Sequence, residues 1–328
     1  MLGRKPEIRT IGMLTSGGDA PGMNPCIRSI VRTGLGKGLQ VLGVEDGFEG
    51  LMHGRFRPMG ARDVGGILQR GGTILQTARS DDFREPSGQR NAIRQMNNAG
   101  MDALIVIGGD GSMNGAIKLA EQGVPVVGVP ASIDNDIFGT DMCIGVDTAL
   151  NTIVDAIDKL RDTASSHSRA FIVETMGRHS GYLATQAGII TGAELVLVPE
   201  VATPVEEVSK SIDEAYRRGK THAIVVVAEG FTPHASDLGK LIDEMDLGFT
   251  TRVTILGHIQ RGGKPSAYDR FLSSRFGVHA VDFLMQGQTN VMTGLDGREI
   301  VPVPLSLVCS KKRTLSTEYF QMAQMLAQ

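Results

Sequence analysis

The chain has 328 residues, 42 of them glycine, and a formal net charge of −3. That length favours two compact units over one, and the weak charge excludes a global attraction to nucleic acid or to an anionic membrane, so any anion must be bound locally. Cys26, Cys143 and Cys309 lie far apart, giving neither a disulfide framework nor a metal-ligand spacing.

The opening MLGRKPEIRT is polar and runs straight into a short apolar segment, without a signal or membrane-spanning stretch. A cytoplasmic protein is expected. Apolar runs rich in Val and Ile then recur at Ile11–Leu14, Val41–Val44, Ala103–Gly108, Val124–Val129, Ala170–Thr175, Leu195–Val198, His222–Ala228 and Val253–Leu256. Helix-length stretches separate them, so they read as parallel strands of an α/β chain, buried on both faces, with ligands at their carboxyl ends. The clearest helix is Val146–Thr163, where Val146, Leu150, Ile153, Val154, Ile157 and Leu160 form one apolar stripe. Phe138–Gly145, with two glycines and few packing residues, is the candidate crossover between domains.

Four groups of residues carry chemistry. The first turn, Ser16-Gly17-Gly18-Asp19-Ala20-Pro21-Gly22, stands between a strand and a helix whose start Asn24 and Pro25 mark. Its backbone N–H groups and the helix N-terminus suit a phosphate, although a plain tight turn has the same composition. The second, Gly108-Gly109-Asp110-Gly111-Ser112, adds a carboxylate. Asp110 is either a Mg²⁺ anchor, since that ion takes only one or two protein carboxylates beside substrate phosphates, or a cap of the next helix. The segments Ser16–Asn24 and Ile107–Gly115 echo each other, too briefly to establish a duplication. The third group, Ser132-Ile133-Asp134-Asn135-Asp136, offers a carboxylate that could serve as a base, or a simple Asx turn.

Arg169, Arg178, Arg252, His258 and Arg261 form the fourth group, at predicted element boundaries of the kind that gather round carboxyl-end clefts and bind phosphate oxygens. Two lookalikes fail. Gly109, Gly111 and Gly115 imitate a dinucleotide fingerprint, but no ribose-binding acid follows at Val129-Pro130, and Gly219-Lys220-Thr221 lacks the first P-loop glycine, Glu214 standing there.

Taken together, LTSGGDAPGMN, GGDGS, SIDND, DAIDKLRDT, MGR and TRVTILGHIQRGG occur in an order and spacing that resembles the bacterial ATP-dependent 6-phosphofructokinase family over nearly the whole chain. The resemblance implies two Rossmann-like, three-layer α/β/α domains with mainly parallel sheets and a cleft between them. A nucleotide-binding domain of residues 1–144 plus about 258–308 and a sugar-phosphate-binding domain of 145–257 plus about 309–328 are then expected. It implies transfer of a phosphoryl group from ATP to the 1-hydroxyl of fructose 6-phosphate, with Mg²⁺, in a homotetramer.

By the same resemblance Gly18, Arg79, Ser80, Gly109, Asp110, Gly111 and Ser112 contact ATP, with Asp110 holding Mg²⁺. Asp134 is the base, with Arg178 and Gly18 beside it in catalysis. Ser132, Ile133, Met176, Gly177, Arg178, Glu229, Arg169, Arg252, His258, Ile259, Gln260 and Arg261 bind the sugar phosphate, and Arg169 and Arg252 come from a neighbouring subunit. Arg28, Arg32, Arg161, Gly192, Ala193, Glu194, Arg218, Lys220, Thr221 and His222 match an effector site for ADP or phosphoenolpyruvate, although Ala61 stands at a neighbouring position where Arg is common, with Arg62 beside it. Ser132 replaces the family's usual Thr and Ser80 a common Phe. Gly111 and Ala131 stand where pyrophosphate-dependent relatives carry Asp and Lys, which favours ATP. A pyrophosphate-dependent enzyme, a kinase for another phosphorylated ketose, a NAD kinase and a silent sugar-phosphate sensor are the alternatives.

Overall fold

The computed structural model describes residues 8–78, 80–167, 169–220, 222–245 and 250–327. In chain order the elements are β1 (Thr10–Ser16), α1 (Met23–Gly36), β2 (Gln40–Val44), α2 (Gly47–His53), β3 (Phe56–Pro58), α3 (Pro86–Asn98), β4 (Ala103–Gly108), α4 (Asp110–Ala120), β5 (Val126–Pro130) and α5 (Val146–His167). There follow β6 (Arg169–Thr175), α6 (Tyr182–Thr191), β7 (Leu195–Leu197), α7 (Val205–Arg217), β8 (Ala223–Ala228), α8 (Ala235–Glu244), β9 (Thr250–Ile255), α9 (Ala267–Met285), β10 (Val291–Asp296), β11 (Glu299–Pro304), α10 (Leu305–Ser310) and α11 (Thr317–Leu326). No described helix is long and apolar enough to cross a membrane.

The chain divides into two units. The first comprises residues up to Ser132, Ile137–Asp147 and Arg261–Arg313; the second comprises Ile133–Asp136, Thr148–Gln260 and Thr314–Gln328. Among the described residues the first unit holds a seven-stranded sheet in the order β11-β10-β5-β4-β1-β2-β3. Its central strands β1 and β4 are buried at every position, as expected of parallel strands covered on both faces. They pair in parallel with Ser16 opposite Gly108, which sets the two glycine turns side by side at one end of the sheet. The second unit holds a parallel four-stranded sheet, β7-β8-β6-β9. Its core joins Ile172, Val225 and Val227 of the sheet to Val208, Ile212, Leu238 and Ile242 of α7 and α8.

The apolar runs read from the sequence all become strands, and α5 begins at the expected Val146. The hairpin β10–β11 was not expected, because the alternation in VMTGLDGREIVPVP is broken by Gly294 and by prolines. It is closed by a two-residue turn between Asp296 and Glu299, where Gly297 takes φ 56°, the positive value that tight hairpin turns need at their first central residue.

Two expectations are corrected. Phe138–Gly145 is not the crossover, because it is tied back into the first unit: Asp141 N donates to Leu295 O, Leu295 N to Thr140 Oγ1, and Gly145 N to the buried Asp269 Oδ1. The chain instead passes to the second unit at Asp147–Thr148, within the first turn of α5. Nor do Asn24 and Pro25 mark the start of α1. The cap position belongs to Gly22, Pro25 is the third helical residue, where its missing N–H costs nothing, and Asn24 has a different task described below.

Candidate active site

Both glycine turns, expected to meet the donor, lie in the first unit. Asp110 is the first residue of α4, and the cap position is Gly109 without a side-chain cap, which removes the capping explanation of Asp110. No hydrogen bond or ion pair with a described residue engages its carboxylate. Two residues on, Ser112 is 2% exposed and its Oγ has no hydrogen-bond partner, in a place where a Cβ added to Gly17 would lie 3.3 Å from it. A buried hydroxyl left unpaired is costly. With the open amides of the α4 N-terminus it fits a phosphate oxygen, and the free carboxylate fits a hard cation. Gly111 has open space around its Cα.

Gly18 is set by a close approach. A Cβ there would come within 1.8 Å of Arg261 Nη1, so the guanidinium lies directly against the first glycine turn. Arg261 Nε is buried and likewise without a partner. The resemblance assigned Arg261 to the sugar phosphate; the structure sets its guanidinium against the turn expected to hold the donor. Ser80 Oγ accepts from Phe83 N at 3.3 Å, within the short 3-10 turn Asp82–Arg84, and Phe83 stacks on Phe48 with ring centroids 4.2 Å apart. Arg79 lies outside the described residues. Ser132 N donates to Ile144 O at 3.2 Å.

Asp134, the expected base, and Arg178 lie in the second unit. Asp134 is 4% exposed, and its Oδ2 sits 3.7 Å from Arg178 Nε. Arg178 follows the carboxyl end of β6 with φ 54°, a left-handed conformation that costs a non-glycine residue on the order of 1–3 kcal/mol and must be held by its surroundings. The holder is Glu229, whose Oε1 accepts from Gly177 N at 3.1 Å and from Arg178 N at 2.6 Å. Gln260, expected on the substrate, is fully buried; its Oε1 accepts from Met176 N at 3.2 Å and its Nε2 donates to Gly257 O at 3.0 Å, so it also supports the Met176–Arg178 turn. The Ile133 side chain is likewise buried, at 2% exposure, leaving its main chain as the part able to meet a ligand. His258 and Ile259 are exposed.

Arg169 and Arg252 break the expected gathering at carboxyl ends. Arg169 opens β6, and Arg252 lies within β9 opposite Phe171, so both sit toward the amino end of a strand whose far end carries the Met176–Arg178 turn. Six residues of β6 beyond Arg169, and four beyond the level of Arg252, at about 3.3 Å each, lie before the strand end that leads to Arg178, the partner of Asp134.

The effector candidates fall in two groups. Arg28 and Arg32 are on α1, Arg32 Nη2 donating to Ala61 O at 3.2 Å. In the second unit Glu194, its side chain 7% exposed, pairs with Lys220 at 3.2 Å and accepts from Ile224 N at 2.7 Å. Arg161 donates to Thr191 O at 2.6 Å beside Gly192, the C-cap of α6. Ala193 is buried, Arg218 is exposed and His222 is half-buried at the entry to β8; Thr221 lies outside the described residues. The failed P-loop at Gly219-Lys220 follows the end of α7 rather than opening a helix.

Comparison with known proteins agrees with this architecture. The phosphofructokinase family model matches residues 10–284. Proteins named ATP-dependent 6-phosphofructokinase from Thermotoga neapolitana and Thermotoga petrophila are 49% and 50% identical over 321 residues, covering 98% of this chain and 100% of theirs. Phosphofructokinase from Saccharomyces cerevisiae superposes with a TM-score of 0.86 at 39% identity, and that of Pichia pastoris in the T-state with 0.89 at 36%. This chain covers 45% and 36% of those longer chains, against 92% and 94% of its own length. A pyrophosphate-dependent phosphofructokinase from Marinobacter aquaeolei, at 19% identity and a TM-score of 0.86, shares the fold. The chain belongs to the phosphofructokinase family.

Proposed function

We infer that the protein transfers the γ-phosphoryl group of ATP to the 1-hydroxyl of fructose 6-phosphate, giving fructose 1,6-bisphosphate and ADP. The observation that carries the reading is Asp134, a carboxylate 4% exposed and facing an arginine, in a chain about half identical from end to end to proteins named for this reaction. Asp134 accepts the proton of the 1-hydroxyl, a step for which a positioned base contributes about 10²–10⁴-fold. Arg178, 3.7 Å away, orients that carboxylate. Ser132, Ile133, Met176, Gly177, Glu229, His258, Ile259 and Gln260 shape or support the sugar-phosphate site. The first unit then binds the nucleotide and the second the sugar phosphate.

On the donor side the turns at Gly18 and Gly109–Ser112 receive the phosphates, with Arg79 and Ser80 flanking them. Arg261, lying against Gly18, neutralises charge on the moving phosphoryl group, the dominant need in this chemistry. Asp110 would hold Mg²⁺, which supplies further charge neutralisation on the phosphates. Open space at Gly111 and the small Ala131 leave room for a nucleotide, which favours ATP over pyrophosphate as donor.

The placement of Arg169 and Arg252 away from the Asp134 end of their sheet supports a homotetramer in which they serve a neighbouring subunit. The Glu194–Lys220 pair with Arg161, Arg218, Thr221 and His222 forms part of an effector site for ADP or phosphoenolpyruvate, to which Arg28 and Arg32 also contribute. A cytoplasmic location goes with these phosphorylated substrates. Coupled assays with ATP or pyrophosphate against fructose 6-phosphate test the reading: it stands on Mg²⁺-dependent turnover with ATP and falls if pyrophosphate alone supports the reaction.

A further inference from the structure

Thr15 and Asn24, on the strand and helix that flank the first glycine turn, are almost completely buried polar side chains, at 0% and 1% exposure. Both spend their hydrogen bonds on one stretch of chain that carries no regular structure, residues 70–77. Asn24 Nδ2 donates to Arg70 O and Gly71 O, each at 3.1 Å, and its Oδ1 accepts from Ile74 N at 2.8 Å. Thr15 Oγ1 bonds Thr73 Oγ1 at 2.9 Å and donates to Gln76 O at 2.7 Å. The stretch closes the circle itself, because the half-buried Thr77 donates its hydroxyl to Gly17 O at 2.5 Å.

The other flank of this strap meets the turn after Arg261. A Cβ on Gly71 would fall 2.2 Å from Gly263 O, so the two backbones are in direct contact. The strap therefore touches Gly17, next to Gly18, and the segment carrying the guanidinium that lies against Gly18. Buried side-chain networks in which every partner is satisfied fix one geometry, and donor loops need their backbone held in advance of binding.

We propose that Thr15, Asn24 and Thr77 are positioning residues for the donor-phosphate site, acting through the 70–77 strap on Gly17–Gly18 and on Arg261. The proposal rests on the reading of that site as the ATP site. None of the three touches the reacting atoms.

The most informative pair of variants is Thr77→Val, isosteric without the hydroxyl, and Thr77→Ser, which keeps it. Loss of one hydrogen bond of ordinary strength corresponds to roughly a two- to tenfold change in an equilibrium. Thr77→Val should raise KM for ATP by about that factor with KM for fructose 6-phosphate unchanged, and Thr77→Ser should restore it. Asn24→Ala, which frees three backbone groups, should act more strongly and expose the Ile74 amide to hydrogen exchange. Equilibrium binding of ATP in the absence of sugar reads the same effect without turnover, so a wrong acceptor assignment would not mask it. A purely structural role predicts a lower Tm with ATP affinity intact in Thr77→Val, and that result, or an equal rise in both KM values, overturns the proposal.

Discussion

Gly18→Ala places a single methyl group where the donor turn meets Arg261. The added carbon would lie 1.8 Å from Arg261 Nη1, whereas ordinary contact begins at 3.4 Å, so the guanidinium has to withdraw by about 1.6 Å or the turn has to open. The obstacle is the far end of a flexible side chain, and Gly18 lies outside the left-handed region. Folding should therefore survive, with Tm unchanged or slightly raised by the stiffer unfolded chain. Catalysis should not survive intact: withdrawing one preorganised donor from developing charge costs about 10²–10³-fold in kcat. The assay is a double-mutant cycle of Gly18→Ala and Arg261→Ala, with kcat measured at saturating ATP and fructose 6-phosphate. If the methyl acts by displacing Arg261, Gly18→Ala does little further harm in the Arg261→Ala background. Equal and multiplicative losses in both backgrounds would refute the reasoning and leave the methyl acting on the nucleotide alone.

Glu229→Gln keeps the shape of the acceptor that holds Gly177 N and Arg178 N but removes its charge. A charge-assisted bond exceeds a neutral one by about 1 kcal/mol, so two such bonds predict a rise of about ten- to thirtyfold in KM for fructose 6-phosphate, with KM for ATP unmoved. Asp134→Asn and Arg252→Ala should each be nearly inactive, yet subunits mixed after dissociation should regain activity, because some sites then draw an intact Asp134 and an intact Arg252 from different chains; no recovery would count against the shared site. Burial pushes the Cys309 thiol up to about 11 and the fully buried Cys26 thiol above the usual range. Only the thiolate reacts, so native labelling by a thiol reagent should be slow at pH 8 and rise about tenfold per pH unit toward pH 11. Rapid labelling at pH 8 would contradict this.

Much of the architecture was legible because the strands are parallel and covered, so Val- and Ile-rich runs such as Ala103–Gly108 advertise themselves. The β10–β11 hairpin was harder to see, since Gly294 and the prolines at 302 and 304 interrupt its period. Motif order exposed the chemistry-bearing turns, but no spacing in the sequence could show that Asp110 is not a cap. Asn24 illustrates the difficulty: beside a proline and near a helix start it resembles a boundary signal, whereas its amide reaches residues about fifty positions away. Arg261 likewise reads as one more cation until its contact with Gly18 is seen. The sparse packing residues of 138–145 suggest freedom in the sequence, while polar contacts to Leu295 and Asp269 bind the stretch to the first unit.

The central claim is that Asp134 is the base of an ATP-dependent transfer to fructose 6-phosphate. Its most direct test is the rate of Mg²⁺-dependent formation of fructose 1,6-bisphosphate by the wild type and by Asp134→Asn, with substrate binding measured alongside. Turnover with ATP is expected in the wild type and a loss of about 10²–10⁴-fold in kcat in the variant, with sugar-phosphate affinity largely kept. Full activity in Asp134→Asn would contradict it.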